Sequence, residues 1–274
     1  MKKGIILAVF LVLLGNICAF SQNSSVSGPV FELSKEKDIP LLVSGAVVCA
    51  GGWAANKYLS YPDWDQTKRD SSGVNSFDWY FSQPYSKTLD KTADVLMYTF
   101  AVAPAALSFL PDADWKTVCV MYLETVLFSQ GLKEGLKAVG QRYRPYTYYD
   151  DPDTSYSDGD YVKSWPSGHT TTAFAAAVFA SYVYCEYEPD SEYKVPFTAA
   201  CLAGAASVGV LRVMSGNHFV TDVLSGAVLG SACGFLVPFV HKVNTGLARK
   251  SSRDGTAKLQ IELYPAGAGI RVGF

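Results

Sequence analysis

Histidine is scarce in this chain, with three among 274 residues: His169, His218 and His241. Basic residues are too few to outnumber acidic ones. Lys plus Arg total 23 against 25 Asp plus Glu, a net charge of −2, so no polybasic surface suited to nucleic acid is present. The six cysteines are Cys18, Cys49, Cys119, Cys185, Cys201 and Cys233. None pairs at metal-ligand spacing and no disulfide framework is legible. Each lies in or beside an apolar stretch, which favours free thiols in packed surroundings. Internal repeats and low-complexity tracts are absent.

What is present is apolar and aromatic: 49% hydrophobic residues, 14% aromatic. The chain opens MKKGIILAVFLVLLGNICAFSQNSS. Two lysines before an apolar core, with Ala19 and Ser21 ahead of Gln22, predict an export signal over residues 1–21. A retained anchor is the competing reading. Cys18 is badly preceded for a lipidated cysteine. A linker follows over 22–38, then the main domain over 39–241 and a tail over 242–274.

The main domain holds six apolar segments, at 39–59, 92–110, 116–140, 170–185, 195–213 and 219–240. Several approach the ~20 residues that cross a bilayer. Small residues recur in AACLAGAASVGV and SGAVLGSACG and permit close helix contact. The expected fold is therefore all-α, a six-helix bundle embedded in a membrane. Against this stand a mean hydropathy of only +0.12 and two charges, Glu124 and Arg212, inside apolar segments. A soluble, tightly packed helical domain is the alternative. If the signal is cleaved, three crossings place residues 141–168 on the cytoplasmic side, whereas the basic tail residues Lys242, Arg249, Lys250 and Arg253 favour an inside C-terminus. The tail LQIELYPAGAGIRVGF alternates about a turn and predicts a short β-hairpin.

Three clusters carry chemistry. KAVGQRYRP places Lys137 near a helix end and Arg144 seven positions on, two cations suited to phosphate oxygens. A basic helix terminus is the plain alternative. SWPSGHTTTAF sets Ser167, Gly168 and His169 at the mouth of an apolar helix, where unpaired N–H groups suit an anion. LRVMSGNHFVTD offers Arg212, His218 and Asp222. The last two are four apart and share a helix face, so that the carboxylate can orient the imidazole. Together these describe an anion pocket with one nucleophile and one acid. His241 ends the last apolar run and reads as a helix-end residue. DPDTSYSDGD lacks the closing glutamate of a calcium loop and reads as a solvated lip over the site.

KAVGQRYRP, PSGH and RVMSGNHFVTD resemble, in order and spacing, the three-part signature of the type 2 phosphatidic acid phosphatase superfamily. That family also includes bacterial acid phosphatases and vanadium haloperoxidases. The resemblance implies His218 as a nucleophile forming a phosphohistidine, Asp222 orienting it, and His169 as general acid. It further implies phosphate held by Lys137, Arg144, Ser167, Gly168 and Arg212, with neither metal nor cofactor in hydrolysis. Leu211 departs from the family serine at that place. The GNHFVTDVLSGAVLG run is similar to the lipid-phosphate phosphatases, which implies a lipid phosphate or prenyl diphosphate substrate in the membrane of a bacterial envelope. No nucleic acid or obligate protein partner is expected. The alternatives are a soluble periplasmic acid phosphatase, a vanadium-dependent haloperoxidase, and a non-catalytic lipid-binding protein.

Overall fold

The computed structural model describes residues 29–64, 67–110, 112–150, 159–243, 258–264 and 267–273. The expected signal at 1–21 and most of the acidic lip lie outside them. All six apolar segments are helical: α1 (Lys35–Tyr58), α3 (Lys87–Val102), α4 (Trp115–Gly140), α5 (Gly168–Tyr187), α6 (Lys194–Met214) and α7 (Val220–His241). The count of six is nevertheless corrected to seven among the described residues, because the wet loop after α1 forms a short helix, α2 (Ser76–Phe81). Asn75 caps it, its side chain accepting the Asp78 amide. Residues Lys258–Tyr264 and Gly267–Gly273 pair as antiparallel strands β1 and β2, with Ile261 opposite Ile270.

α5 is the axis of the bundle. Its residues from Ala173 to Val183 are buried without a break, and it packs on α3, α4, α6 and α7. Small residues set how close its neighbours come. A Cβ on Gly226, Gly230 or Gly234 of α7 would lie 2.6, 2.2 or 2.4 Å from the carbonyl oxygen of Ser167, Thr171 or Ala175. Glycine at this four-residue spacing lets the two backbones touch. α1 and α4 meet the same way, through Gly52 and Gly131.

The outward faces are apolar. Ile39, Val43 and Val47 form an exposed stripe on α1, as do Val95, Tyr98 and Val102 on α3 and Leu224 and Val228 on α7. Buried inside are Asp38, Asp90, Glu124, Arg212, Asp222 and His241. Such a distribution suits hydrocarbon outside and paired polar groups within. Among the described residues, four stretches are long and apolar enough to cross a membrane: Lys35–Tyr58, Lys87–Phe109, Lys194–Met214 and Val220–His241. The fold is an all-α bundle largely embedded in a membrane. Glu124 and Arg212, which argued for a soluble domain, are internal and face polar partners.

Helix directions alternate. α1, α4 and α6 end where α3, α5 and α7 begin, so one end of the bundle collects Arg144, His169, Arg212 and His218. The other end ties the chain's entry to its exit through a bridge between Phe31 and Lys242. Trp79, Tyr80 and Phe81 of α2 are exposed at the first end, as aromatics at a membrane–water boundary are.

The described cysteines are all free. Cys185 and Cys233 are buried as expected, whereas Cys119 is exposed.

Candidate active site

A cavity of about 580 Å³ opens at the end where the three sequence clusters meet. Lys133, Lys137, Arg144, Arg212, His169 and His218 line its polar half, and Met97, Tyr98, Ala101, Tyr122 and Val126 its apolar half. Gly168 lines it too, and a Cβ there would meet the Lys133 side chain at 3.0 Å and the Lys137 ammonium at 3.6 Å. Glycine at this helix start thus leaves room for both lysines and for an anion at the exposed N–H groups.

His218 is buried in the loop before α7. Its Nδ1–H donates to the Ser164 carbonyl at 2.7 Å. A carbonyl can only accept, so Nε2 of the neutral ring keeps its lone pair. Nε2 faces the Arg144 guanidinium, whose Nη1 is 3.2 Å away. Burial first, then the charges of Arg144, Arg212 and Lys137, hold the imidazole well below the usual histidine range. The ring is therefore neutral at physiological pH.

Asp222 does not act on His218 as the four-residue spacing suggested. Its Oδ2 is 3.9 Å from Nδ1, and the ring's hydrogen bond goes to Ser164 instead. The carboxylate accepts from the Ser164 hydroxyl at 2.6 Å, the Phe219 amide at 2.8 Å and Arg142 Nη1 at 2.5 Å. It ties the loop that carries His218 to the loop whose Ser164 carbonyl orients the ring. The N-terminal turn of α7 draws Asp222 back onto its own first amides, away from the ring.

Ser167 is likewise displaced from its expected place. It is fully buried, its hydroxyl accepts from Thr170 at 2.9 Å, and it is not among the cavity-lining residues. Lys137, Arg144, Gly168, His169, Arg212 and His218 all reach the cavity.

Sequence reasoning missed the carboxylates that hold these groups. Asp94 accepts from His169 Nε2 at 2.6 Å. Asp90, one turn earlier on α3, pairs with Arg212. Asp160 takes Arg144 through its carbonyl and its carboxylate, both at 2.8 Å. Burial pushes the Asp160 carboxyl up, but Arg144 and Lys137 outweigh it and hold it below the usual carboxylate range. The D-x-x-x-D spacing of Asp90 and Asp94 at a helix start was the one available signal.

Arg142 was also missed. It bridges Asp222 and Asp78, the latter at 2.7 Å, and its guanidinium lies 4.4 Å from the Phe219 ring centre. Asp78 belongs to the unforeseen α2 and accepts the Thr221 amide at 3.0 Å and the Thr221 hydroxyl at 2.6 Å. α2 thus pins the start of α7 from outside the cavity.

Cations gathered about a neutral, tautomer-fixed imidazole, inside an apolar bundle, make a pocket suited to a phosphate-like anion. Residues 118–245 match the model of the PAP2 superfamily. The matched region contains the whole cationic site; Asp78, Asp90 and Asp94 precede it.

The chain is 37% identical over 118 residues to a lipid A 1-phosphatase of Porphyromonas gingivalis, covering 42% of this chain and 25% of that one. It is 34% identical over 144 residues to a lipid A 1-phosphatase of Rhizobium etli, covering 52% and 57%. The chain thus spans between a quarter and somewhat over half the length of these curated relatives. A transmembrane PAP2 type phosphatidylglycerolphosphate phosphatase of Bacillus subtilis superposes with a TM-score of 0.45 at 21% identity, over 80% of this chain and 98% of that one. Over these stretches the chain is similar to bacterial lipid A 1-phosphatases, and its described helices include four long and apolar enough to cross a membrane.

Proposed function

We propose that this chain hydrolyses the phosphate of a membrane lipid without a metal in the reaction, through a phosphohistidine on His218. The observation carrying this reading is the single cavity that joins His218 Nε2 and four cations to an apolar half lined from α3 and α4. A lipid can leave its tail in hydrocarbon while its phosphate displaces Arg144 from Nε2. Keeping the tail there avoids the cost of exposing apolar area.

The chemistry follows from the positions. Lys137, Arg144 and Arg212 spread the charge of the transferring phosphoryl group. Nε2 of His218 attacks phosphorus as the ester oxygen leaves, and His169 gives that oxygen a proton. Asp94 holds the His169 ring in place for this. Water then attacks the phosphohistidine, His169 takes the water's proton, and the P–N bond breaks to release inorganic phosphate. Asp222 is a positioning residue that acts through Ser164.

The names of the relatives make a lipid A 1-phosphate the first substrate to assay, with phosphatidylglycerol phosphate and a prenyl diphosphate beside it. The test is phosphate release from detergent-solubilised protein in excess chelator, with acid-quench trapping of a phosphoenzyme. Turnover of a lipid phosphate and a trapped phosphoenzyme that is lost in His218→Ala are expected. Turnover only of soluble sugar phosphates, or a phosphoenzyme surviving in His218→Ala, would overturn the reading.

A further inference from the structure

At the end of the bundle opposite the cavity, three side chains from three helices converge. They are Asp38 in the first turn of α1, Glu124 within α4 and His241 in the last turn of α7. Their ligand atoms all lie within 4.8 Å of one another, and no other group of three His, Cys, Asp or Glu side chains among the described residues meets that condition. His241 is thus not the companionless helix-end residue its sequence position suggested. α7 has 22 residues, so His241 stands about 33 Å along that helix from the loop of His218 at 1.5 Å per residue, while Glu124 lies between the cavity-lining Tyr122 and Val126 on α4.

The hydrogen bonding around the cluster leaves a charge unaccounted for. His241 Nδ1 is 2.8 Å from the Val237 carbonyl, which can only accept, so Nδ1 carries the ring proton. Nε2 of the neutral ring is then a bare lone pair. It faces Asp38 Oδ1 at 2.7 Å and Glu124 Oε2 at 3.3 Å. Three electron-pair donors aimed at one point repel unless a positive species lies between them. Glu124 is fully buried, and both its carboxylate oxygens lack a hydrogen-bond partner. Asp38 is oriented by the Ser34 amide, 2.5 Å from Oδ2, which turns Oδ1 toward His241. An imidazole fixed by a backbone carbonyl and a carboxylate fixed by a backbone amide are how metal ligands are commonly held.

We infer that Asp38, Glu124 and His241 form a structural site for a divalent transition ion of zinc's class. Two carboxylates and a neutral imidazole sum to −2, which a divalent ion cancels, whereas a proton on the ring would leave one buried negative charge. Mixed imidazole and carboxylate ligands suit zinc, which takes N and O at about 2.0–2.2 Å. Ligands at that distance in a tetrahedron stand roughly 3.3 Å apart, so the 3.3 Å from His241 to Glu124 already fits and the 2.7 Å to Asp38 would widen. Glu124 can fill the fourth position with its second oxygen. The ion would clamp the start of α1 to the end of α7 across the middle of α4, where Phe31 and Lys242 already pair.

The test uses the full chain, tag removed, in detergent and also as His218→Ala, so that the outcome is independent of any phosphatase activity. Elemental analysis after chelation and zinc add-back should give about one zinc per chain in both proteins. Zinc in hundredfold excess over its dissociation constant should raise the melting temperature by roughly 5–10 °C, and Mg²⁺ should not. Glu124→Gln should lose the zinc, while His169→Ala keeps it. Should Glu124→Gln fail to fold, the add-back measurement on the unaltered chain decides alone. Zinc below a tenth per chain, a melting temperature indifferent to zinc, or equal stabilisation by Mg²⁺ would overturn the site and leave an imidazolium between two carboxylates.

Discussion

At the scale of single residues, the site's chemistry rests on where protons sit. The Ser164 carbonyl claims the His218 Nδ1 proton and burial keeps the ring neutral, so His218, the proposed nucleophile, needs no deprotonation near pH 7. A histidine whose pKa is lowered becomes protonated only at correspondingly lower pH. The acidic limb of kcat/KM should therefore lie below pH 6.5, and a limb at or above that value would contradict the neutral ring. Asp94 invites a second measurement. Asp94→Asn removes the charge facing His169, and should lower kcat on an alkyl phosphate by about 10²-fold, the lower range for general acid catalysis. An aryl phosphate, whose leaving group needs less protonation, should lose much less. Equal losses on both would assign Asp94 to binding alone. These proton positions were not legible in the sequence. The spacing of His218 and Asp222 is compatible with a direct bond, and only the fold of the intervening turn shows the carboxylate engaged elsewhere.

At the scale of elements, α2 and the glycine face of α7 place the groups proposed to act. α2 sends Asp78 to the Thr221 amide and to Arg142. Burial pushes the Asp78 carboxyl up, yet Arg142 and Thr221 outweigh it and its pKa lies below the usual range. A carboxylate with a lowered pKa contributes stability above its unfolded value of about 3.9 and loses it as pH falls through the native value. The melting temperature should therefore drop below about pH 4, and Asp78→Asn should be less stable at pH 7 with a shallower acid dependence. An unchanged acid slope would remove α2 from this role. On α7, a side chain at Gly230 would collide with the Thr171 carbonyl, 2.2 Å from its Cβ. Gly230→Val should cost about 1–3 kcal/mol and move His169 relative to His218, visible as a lower melting temperature together with reduced kcat. A variant with full stability would mean that α5 and α7 slide apart without penalty. SGAVLGSACG announced close packing from its composition alone; which helix it packs on depended on α5 offering backbone at the matching four-residue steps.

At the scale of the whole molecule, the alternating helices put the cavity at one end and both Phe31 and Lys242 at the other. The chain's entry and exit should thus lie across the membrane from the active site. In a background lacking the native cysteines, Ser72→Cys and Glu36→Cys should label from opposite faces with a membrane-impermeant maleimide. Labelling of both from one face would show that the bundle does not cross as drawn. That experiment also decides which face holds the site, a question the charge pattern and the crossing count answered in opposite ways.

The sequence by itself determined the helical class and the six long apolar helices, because helix periodicity and apolar length are local properties of the chain; its motifs also singled out Lys137, Arg144, Gly168, His169, Arg212 and His218, which the fold brings to one cavity. Tertiary structure alone decided the partners of the buried charges: Asp94 for His169, Asp90 for Arg212, Asp78 for Arg142, Asp38 and Glu124 for His241. In an apolar bundle every buried charge must find an opposite charge or a dipole. Which one it finds is set by helices far apart in sequence crossing at one depth, and no local pattern in the chain encodes that meeting.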